Sequence, residues 1–526
     1  MAGNIGYLAG LWEIRAQYNV GIVAITFMAP ASAQTTMIAS RGVVFSAVLF
    51  CSHLYLMPGI AAAEIRMEPA VELLASYSDN VNLAPDGQQQ DEWISQINPM
   101  VLIDASGNKA NTNISYKMQN IIYGSDIISS GQEKSQIFHR LNADSRVDLM
   151  KDKVGVNISA DYYQVNRPDS VIRAFDNLST ADYMINTAHL SVNPYLAYQL
   201  GDYSDIDLRY GYNRFDYSGR SILDGQGNEV TATIKSGKNF DRLLWGFDGR
   251  YSKTNYFRQP DIKLASAKLE TLYKTLTHIS VLVNAGYDSN RYQRQDIGAP
   301  TKGMDWSVGL EWNPSKRFKV HALKGRRYYG DTVSWLFTYY TKKSQTNIQY
   351  QEDIMTAANN LNNFIADMPQ PEQPDELQNS TPADDGFNDD YNRMNPLATT
   401  EAFIRKRTNL DYSLGVKRSI FRVNAVYDNN LYLLSGNKEQ VLNGLASWQW
   451  NLSAKTSAIF SEIGQYTKYR ENRSKELTHR FSAALEIRVN KNMSARASYQ
   501  YTRRYATGAL SEYNQNYAEL GLSVKF

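Results

Sequence analysis

Cysteine is nearly missing: the 526 residues hold one, Cys51. It lies in an apolar run over residues 43–63 that follows Arg41 and ends in Ala61-Ala62-Ala63, the small-residue pattern of a signal-peptidase site. Cleavage there leaves a mature chain without a thiol, which excludes disulfide and thiolate chemistry. A lipidated Cys51 is the alternative, but Val48-Leu49-Phe50 before it lacks the small residues such a site needs. After residue 63 no apolar run reaches the roughly 20 residues of a transmembrane helix. A formal net charge of +2 supplies no basic excess for nucleic acid, and none is expected as a partner.

Histidine is equally sparse. Outside the leader there are His139, His189, His278, His321 and His479, and none sits in a G-x-S-x-G or H-E-x-x-H context. A hydrolase needs a nucleophile with a base, or paired carboxylates holding a water, and no such constellation is legible. Gly225-Gln226-Gly227 leads into no helix and reads as a loop turn. No catalytic residue, cofactor site or metal site is expected.

What the chain does have is aromatic residues and alternation. Tyr occurs 36 times and Trp 8, against 15 Pro, and the mean hydropathy is -0.46. At the C-terminus Ala518, Leu520, Leu522, Val524 and Phe526 fall on one side of a period-two pattern, with Glu519, Gly521, Ser523 and Lys525 on the other. A strand apolar on one face and charged on the other suits lipid outside and an aqueous lumen inside. The terminal Phe526 also resembles the closing signature by which assembly machinery recognises bacterial outer-membrane barrels.

The same pattern recurs from Val71 onward, broken by turns such as Lys151-Asp152-Lys153 and Asn490-Lys491-Asn492. About 22 strands result (range 18–24), so the expected fold is all-β: a transmembrane antiparallel up-and-down β-barrel with short periplasmic turns, long extracellular loops and both termini in the periplasm. Tyr and Trp gather where strands meet loops, as an aromatic girdle requires. A soluble solenoid would need a fixed repeat, and none is present.

The longest break, residues 357–400, carries eight acidic residues and one basic and reads as a flexible acidic extracellular loop. Its Asp384-Asp385-Gly386-Phe387-Asn388-Asp389-Asp390 stretch clusters carboxylates that suit a hard cation, but without EF-hand spacing it reads as solvated loop. On the strands, the inward phase selects Arg146, Arg209, Arg250, Glu270, Glu311, Arg422, Glu486, Arg488, Arg496 and Glu519 as candidate lumen-lining residues. Acids and bases are mixed, so the lumen should be hydrated and weakly selective for the sign of an ion. The plainer alternative is that these pairs only solvate and brace the wall.

Ser76-Tyr77-Ser78-Asp79-Asn80-Val81-Asn82-Leu83-Ala84-Pro85, Trp306-Ser307-Val308-Gly309-Leu310-Glu311-Trp312-Asn313-Pro314, Arg326-Arg327-Tyr328-Tyr329-Gly330 and Ala402-Phe403-Ile404-Arg405-Lys406-Arg407 carry a resemblance. Over roughly residues 66–526 the chain resembles the outer-membrane β-barrel proteins associated with PEP-CTERM/exosortase systems, whose genes accompany exopolysaccharide biosynthesis clusters. That resemblance implies a Gram-negative outer-membrane location. It also implies partners in outer-membrane lipid, the barrel assembly machinery, and exopolysaccharide with its export proteins. It supplies no catalytic residues.

The leading expectation is thus a non-enzymatic barrel, a channel or assembly factor for exopolysaccharide export. A plugged barrel that anchors surface components is the structural alternative. A TonB-dependent receptor would need a plug of about a hundred residues ahead of the first strand, which an onset near Val71 disfavours. Residues 21–33 mimic a second signal ahead of the Arg41 to Ala63 leader, which predicts translation from Met37 and a barrel over residues 64–526. N-terminal sequencing of membrane-inserted material should then give a terminus near Glu64; one near Gln34 would overturn the Met37 start.

Overall fold

The computed structural model describes residues 64–124, 134–166, 176–179, 184–218, 224–257, 259–294, 300–356, 401–469, 474–507 and 512–526. The leader assigned to residues 1–63, the acidic loop over 357–400 and its Asp384 to Asp390 stretch lie outside the described residues.

The period-two segments are strands, and no described residue is helical. In chain order they begin with β1 (Glu64–Ser78), β2 (Glu92–Ser106), β3 (Ala110–Tyr123), β4 (Ser135–Met150), β5 (Val154–Asn166), β6 (Met184–Leu200) and β7 (Ser204–Tyr217). There follow β8 (Gly225–Ser236), β9 (Leu243–Tyr256), β10 (Ile262–Leu276), β11 (Ile279–Ser289), β12 (Lys302–Ser315), β13 (Phe318–Arg327), β14 (Gly330–Tyr340) and β15 (Ser344–Met355). The set ends with β16 (Phe403–Val416), β17 (Ser419–Tyr432), β18 (Lys438–Asn451), β19 (Thr456–Tyr469), β20 (Lys475–Arg488), β21 (Met493–Ala506) and β22 (Tyr513–Lys525). Each pairs antiparallel with its neighbour in sequence, and β1 pairs with β22. The sheet closes into a 22-stranded up-and-down barrel.

Two corrections concern local detail. The first strand begins at Glu64, seven residues before Val71, because the ladder of β1 to β2 continues down to Glu64 opposite Ser106. Gly225-Gln226-Gly227 is not a loop turn but the opening of β8. A Cβ on Gly225 would collide with the ring of Phe215 on β7, so glycine is what lets that ring lie against the strand.

Proline leaves its mark on the ladders. Pro99 pairs with Val71 of β1, but the β2–β3 ladder skips from Gln96 opposite Ile121 to Met100 opposite Lys117. Pro194 leaves a similar skip between β6 and β7, from Val192 opposite Tyr212 to Tyr195 opposite Arg209. A residue without an N–H cannot serve both neighbours of an interior strand.

The two faces differ in composition. Leu520, Leu310, Trp306, Leu269 and Phe481 stand exposed on one face, Leu520 at 65%. Asn98, Thr187, Asn443 and Arg504 are buried on the other. Soluble monomers do not expose so continuous an apolar surface, and a closed sheet leaves no unpaired edge to lipid. The fold is that of an outer-membrane β-barrel, with the apolar face outward.

Connections alternate in length. On one side they run from two residues at 277–278 to six at 237–242; on the other they reach 356–402, with a single two-residue connection at 328–329 among several long ones. Aromatic rings mark both rims of the outward face. On the short-turn side Trp312, Phe318 and Phe337 pack edge to face, and Phe421, Trp448 and Phe460 stack. On the long-loop side Tyr77 meets Trp93 at 5.1 Å. Such rings bridge hydrocarbon and headgroups.

The outward Leu520 lies opposite Ala75 and Ala497, whereas the inward Ser523 lies opposite Glu72 and Ser494. Leu520→Arg should destabilise the barrel by about 2 to 4 kcal/mol and Ser523→Arg by far less. Urea titration of refolded protein in vesicles checks this, and equal costs would contradict the faces.

Candidate functional site

Because side chains alternate across a strand, register determines what shares the lumen. On the inward face, ion pairs form between residues two apart on one strand or across to neighbouring strands. Lys117 Nζ is 2.8 Å from Glu72 Oε2, Arg250 Nη2 2.9 Å from Glu229 Oε2, and Lys319 Nζ 2.9 Å from Glu311 Oε2. Arg146 reaches Asp148 at 3.0 Å, Arg209 reaches Asp207 at 2.6 Å, and Glu270 takes Lys268 at 3.0 Å. Arg496 lies 3.8 Å from Glu486. Glu519 accepts a hydrogen bond from Tyr517 Oη at 2.6 Å. Arg422 sits between Ser413 and Ser447, and Arg488 opposite Ser494. Pairs as exposed as these contribute roughly 0 to 1 kcal/mol each. Their main effect is electrical: these inward charges lie beside opposite ones, which lowers the field they set up along the bore.

Between the ion pairs run amides. Gln119 Nε2 donates to Gln96 Oε1 at 2.9 Å, Gln465 Nε2 to Asn443 Oδ1 at 2.8 Å, and Asn284 Nδ2 to Ser307 Oγ at 3.0 Å. An amide both donates and accepts, as a hydroxyl does.

The extracellular half is narrower than the alternation implies. Asp176 to Ser179, in the connection between β5 and β6, lies against the inward face of distant strands. Arg480 Nη2 of β20 is 3.0 Å from Asp176 Oδ2. Asn177 Nδ2 donates to Gln119 Oε1 of β3 at 3.2 Å and to Gln164 Oε1 of β5 at 3.3 Å. Tyr123 Oη donates to the Leu178 carbonyl at 3.1 Å. Leu178 itself packs with Val81, Ile94, Ile121, Tyr123 and Tyr517. A loop thus bridges β20 and β3 from inside the barrel.

A second apolar cluster joins Tyr163, Val165, Ile185, Phe215, Tyr256, Ile262 and Tyr292 with Ala402, Ile404 and Leu433. It brings the extracellular ends of β5 to β11 together with those of β16 and β17. Beside it Arg327 is surrounded by carboxylates from three strands: Asp288 at 3.0 Å, Asp305 at 3.9 Å and Asp353 at 3.8 Å, with the Tyr329 ring 5.4 Å away. In the connections above, Tyr292 and Tyr328 share a hydrogen bond of 3.1 Å, and burial pushes both phenols above their ordinary value. They stay neutral across the physiological range.

This inward apolar collar was not among the residues selected from sequence. A signal exists for it: near the extracellular ends apolar residues occur in consecutive pairs, Trp93-Ile94, Ile121-Ile122 and Tyr162-Tyr163, so both faces are apolar there. The histidines stand on separate elements. His189 meets Asp161 at 3.3 Å within the lumen, His139 meets Tyr116 and His479 meets Glu462 on the outer face, His321 lies near Glu311, and His278 meets the Asn313 carbonyl in a turn.

No family model and no curated protein matches the chain. Among solved structures it is similar to the FrpB iron transporter from Neisseria meningitidis (F3-3 variant), with a TM-score of 0.50 and 10% identity over 87% of this chain and 81% of that one. It is also similar to the siderophore receptor PirA from Acinetobacter baumannii, with a TM-score of 0.49 and 7% identity over 88% and 80%. At such identity the likeness to FrpB bears on the barrel fold alone.

Arg327 holds three converging carboxylates, and Asp288 beside it is nearly fully buried. Arg327→Gln should cost about 3 kcal/mol, since removing one partner leaves buried like charges facing one another. Unfolding in vesicles measures it; a loss below about 1 kcal/mol would show that the carboxylates do not depend on this cation.

Proposed function

We propose that the protein is a non-enzymatic outer-membrane conduit for a polyhydroxylated polymer, exopolysaccharide, narrowed in this structure by Asp176 to Ser179. One observation carries the reading: the inward face sets opposite charges together in pairs such as Lys117 with Glu72 and Lys319 with Glu311, and places amides between them. A wall of this kind exchanges hydrogen bonds with sugar hydroxyls while exerting little net force on either sign of ion. The resemblance to exopolysaccharide-locus barrels supports the choice of polymer. Phe526, whose backbone N–H donates to the Pro69 carbonyl at 2.9 Å beside the closing seam, is assigned to recognition by the assembly machinery.

A second reading is ligand-specific uptake. It is favoured by the strand number, since 22-stranded outer-membrane transporters carry a plugged lumen, and by the likeness to FrpB, an iron transporter. Here the loop residues that bridge β3 and β20 take the position of an obstruction.

Single-channel recording of the refolded protein separates the two. The conduit reading expects small conductance in the wild type, a severalfold increase in an Asp176→Ala/Asn177→Ala variant, and block of the enlarged current by neutral dextran. Gene deletion should leave exopolysaccharide inside the cell and remove it from the surface. Unchanged surface polysaccharide would overturn the export role, and dextran indifference with ferric-siderophore block would favour uptake.

A further inference from the structure

The inward face sets many of its charges in pairs, but one sector of the outward face carries a row of like charges. Lys253 on β9 lies directly opposite Lys263 on β10. Lys263 in turn lies directly opposite Arg291, just past β11, with both backbone hydrogen bonds formed at 2.8 and 2.7 Å. Three cations therefore stand side by side on adjacent strands, with Cα atoms about 5.5 Å apart across the hydrogen-bonded pair. Lys302, the next outward residue on β12, faces Ser289, two residues below Arg291. Like charges directly opposite one another in a sheet repel. Among the described residues the acidic groups on this outward sector are Asp261, 3.0 Å from Lys253, and Asp331, which lies opposite Arg326. Among these residues the three central cations thus share one carboxylate. On the neighbouring sector Lys406 and Glu352 neutralise each other at 3.0 Å.

Height gives the row its meaning. Tyr251 is two residues below Lys253 on the same outward face, and Met304 and Trp306 follow Lys302 downward. Both Tyr251 and Trp306 are exposed. Two residues of strand rise about 6 to 7 Å, so the cations lie one step above the aromatic ring, at the level of outer-leaflet headgroups. Long basic side chains there reach the headgroup plane while their stems stay on apolar surface.

We propose that Lys253, Lys263 and Arg291 form a docking site for the phosphate groups of an outer-leaflet phosphorylated glycolipid. Phosphate oxygens accept charge-assisted hydrogen bonds from several cations at once and convert the repulsion along the row into attraction. The site is independent of what passes through the lumen, because it lies on the opposite face of the same strands.

The test uses the full chain refolded into phosphatidylcholine vesicles, alone or with a bis-phosphorylated glucosamine glycolipid or its dephosphorylated counterpart. The phosphorylated lipid should raise the urea midpoint of the wild type, and the dephosphorylated lipid should not. A Lys253→Gln/Lys263→Gln/Arg291→Gln variant should lose this shift, yet be as stable as the wild type or more so in phosphatidylcholine alone, where only repulsion has been removed. Removing three charges at the opposite rim, Lys316→Gln/Arg317→Gln/Lys343→Gln, should leave the shift intact. If the triple variant does not insert, Lys263→Gln alone should reduce the shift. A wild type indifferent to the phosphorylated lipid, a triple variant that keeps the full shift, or the same shift from inorganic phosphate in phosphatidylcholine vesicles would each overturn the proposal.

Discussion

Closure of β1 on β22 is the constraint from which the rest follows. In hydrocarbon an unpaired peptide group has no water to turn to and costs several kcal/mol. The ladder from Ala70 opposite Lys525 to Ser78 opposite Tyr517 removes the two edges that a 22-stranded open sheet would expose. Once the sheet is closed, every strand has one face to lipid and one to the lumen, and period two becomes obligatory for the whole chain. The prolines show how strict this is: Pro99 and Pro194 are accommodated only with local gaps in one of their two ladders.

Closure also divides electrostatics into two regimes. Charges on the inward face are in reach of one another across a few ångströms, so pairing there is local. On the outward face charges either meet one another, as Lys406 meets Glu352 and His479 meets Glu462, or stand near the headgroups beyond the aromatic rims. Strand β9 illustrates both: its Arg250 pairs inward with Glu229 of β8, whereas Lys253, three residues later, points outward into a row of its own sign.

How much of this the sequence revealed follows from the same physics. Strand number, the alternation of short and long connections, the outward faces and the terminal strand are legible because each rests on period two alone, and Ala518 to Phe526 displays it without interruption. The first strand is set seven residues late although Ile65 and Met67 alternate with Glu64, Arg66 and Glu68: Pro69 interrupts the series before Val71, and it is the pairing with β2 that carries the strand across it. Gly225 to Gly227 reads as a turn because glycine pairs usually mark one, whereas here they make room for Phe215. The docked loop was out of reach for a different reason. The hydrogen bonds of Asn177 and the ion pair of Asp176 with Arg480, 304 positions away, depend on which strands the closure brings face to face.

The collar explains why an obstruction can be placed at the extracellular end and not elsewhere. Lower in the barrel, inward residues such as Lys117 and Glu311 keep water, and a loop docked there would have to displace it from paired charges. Near the mouth, Ile94, Ile121, Tyr163, Val165 and Phe215 turn apolar surface inward, where water gains least, and Leu178 covers part of it. Each fully buried aliphatic side chain contributes roughly 1.5 to 3 kcal/mol, so a single leucine with a few hydrogen bonds can hold a loop across the lumen without fixing it irreversibly. The consecutive apolar pairs that break the alternation are therefore where the wall stops serving only the membrane and begins to close the bore.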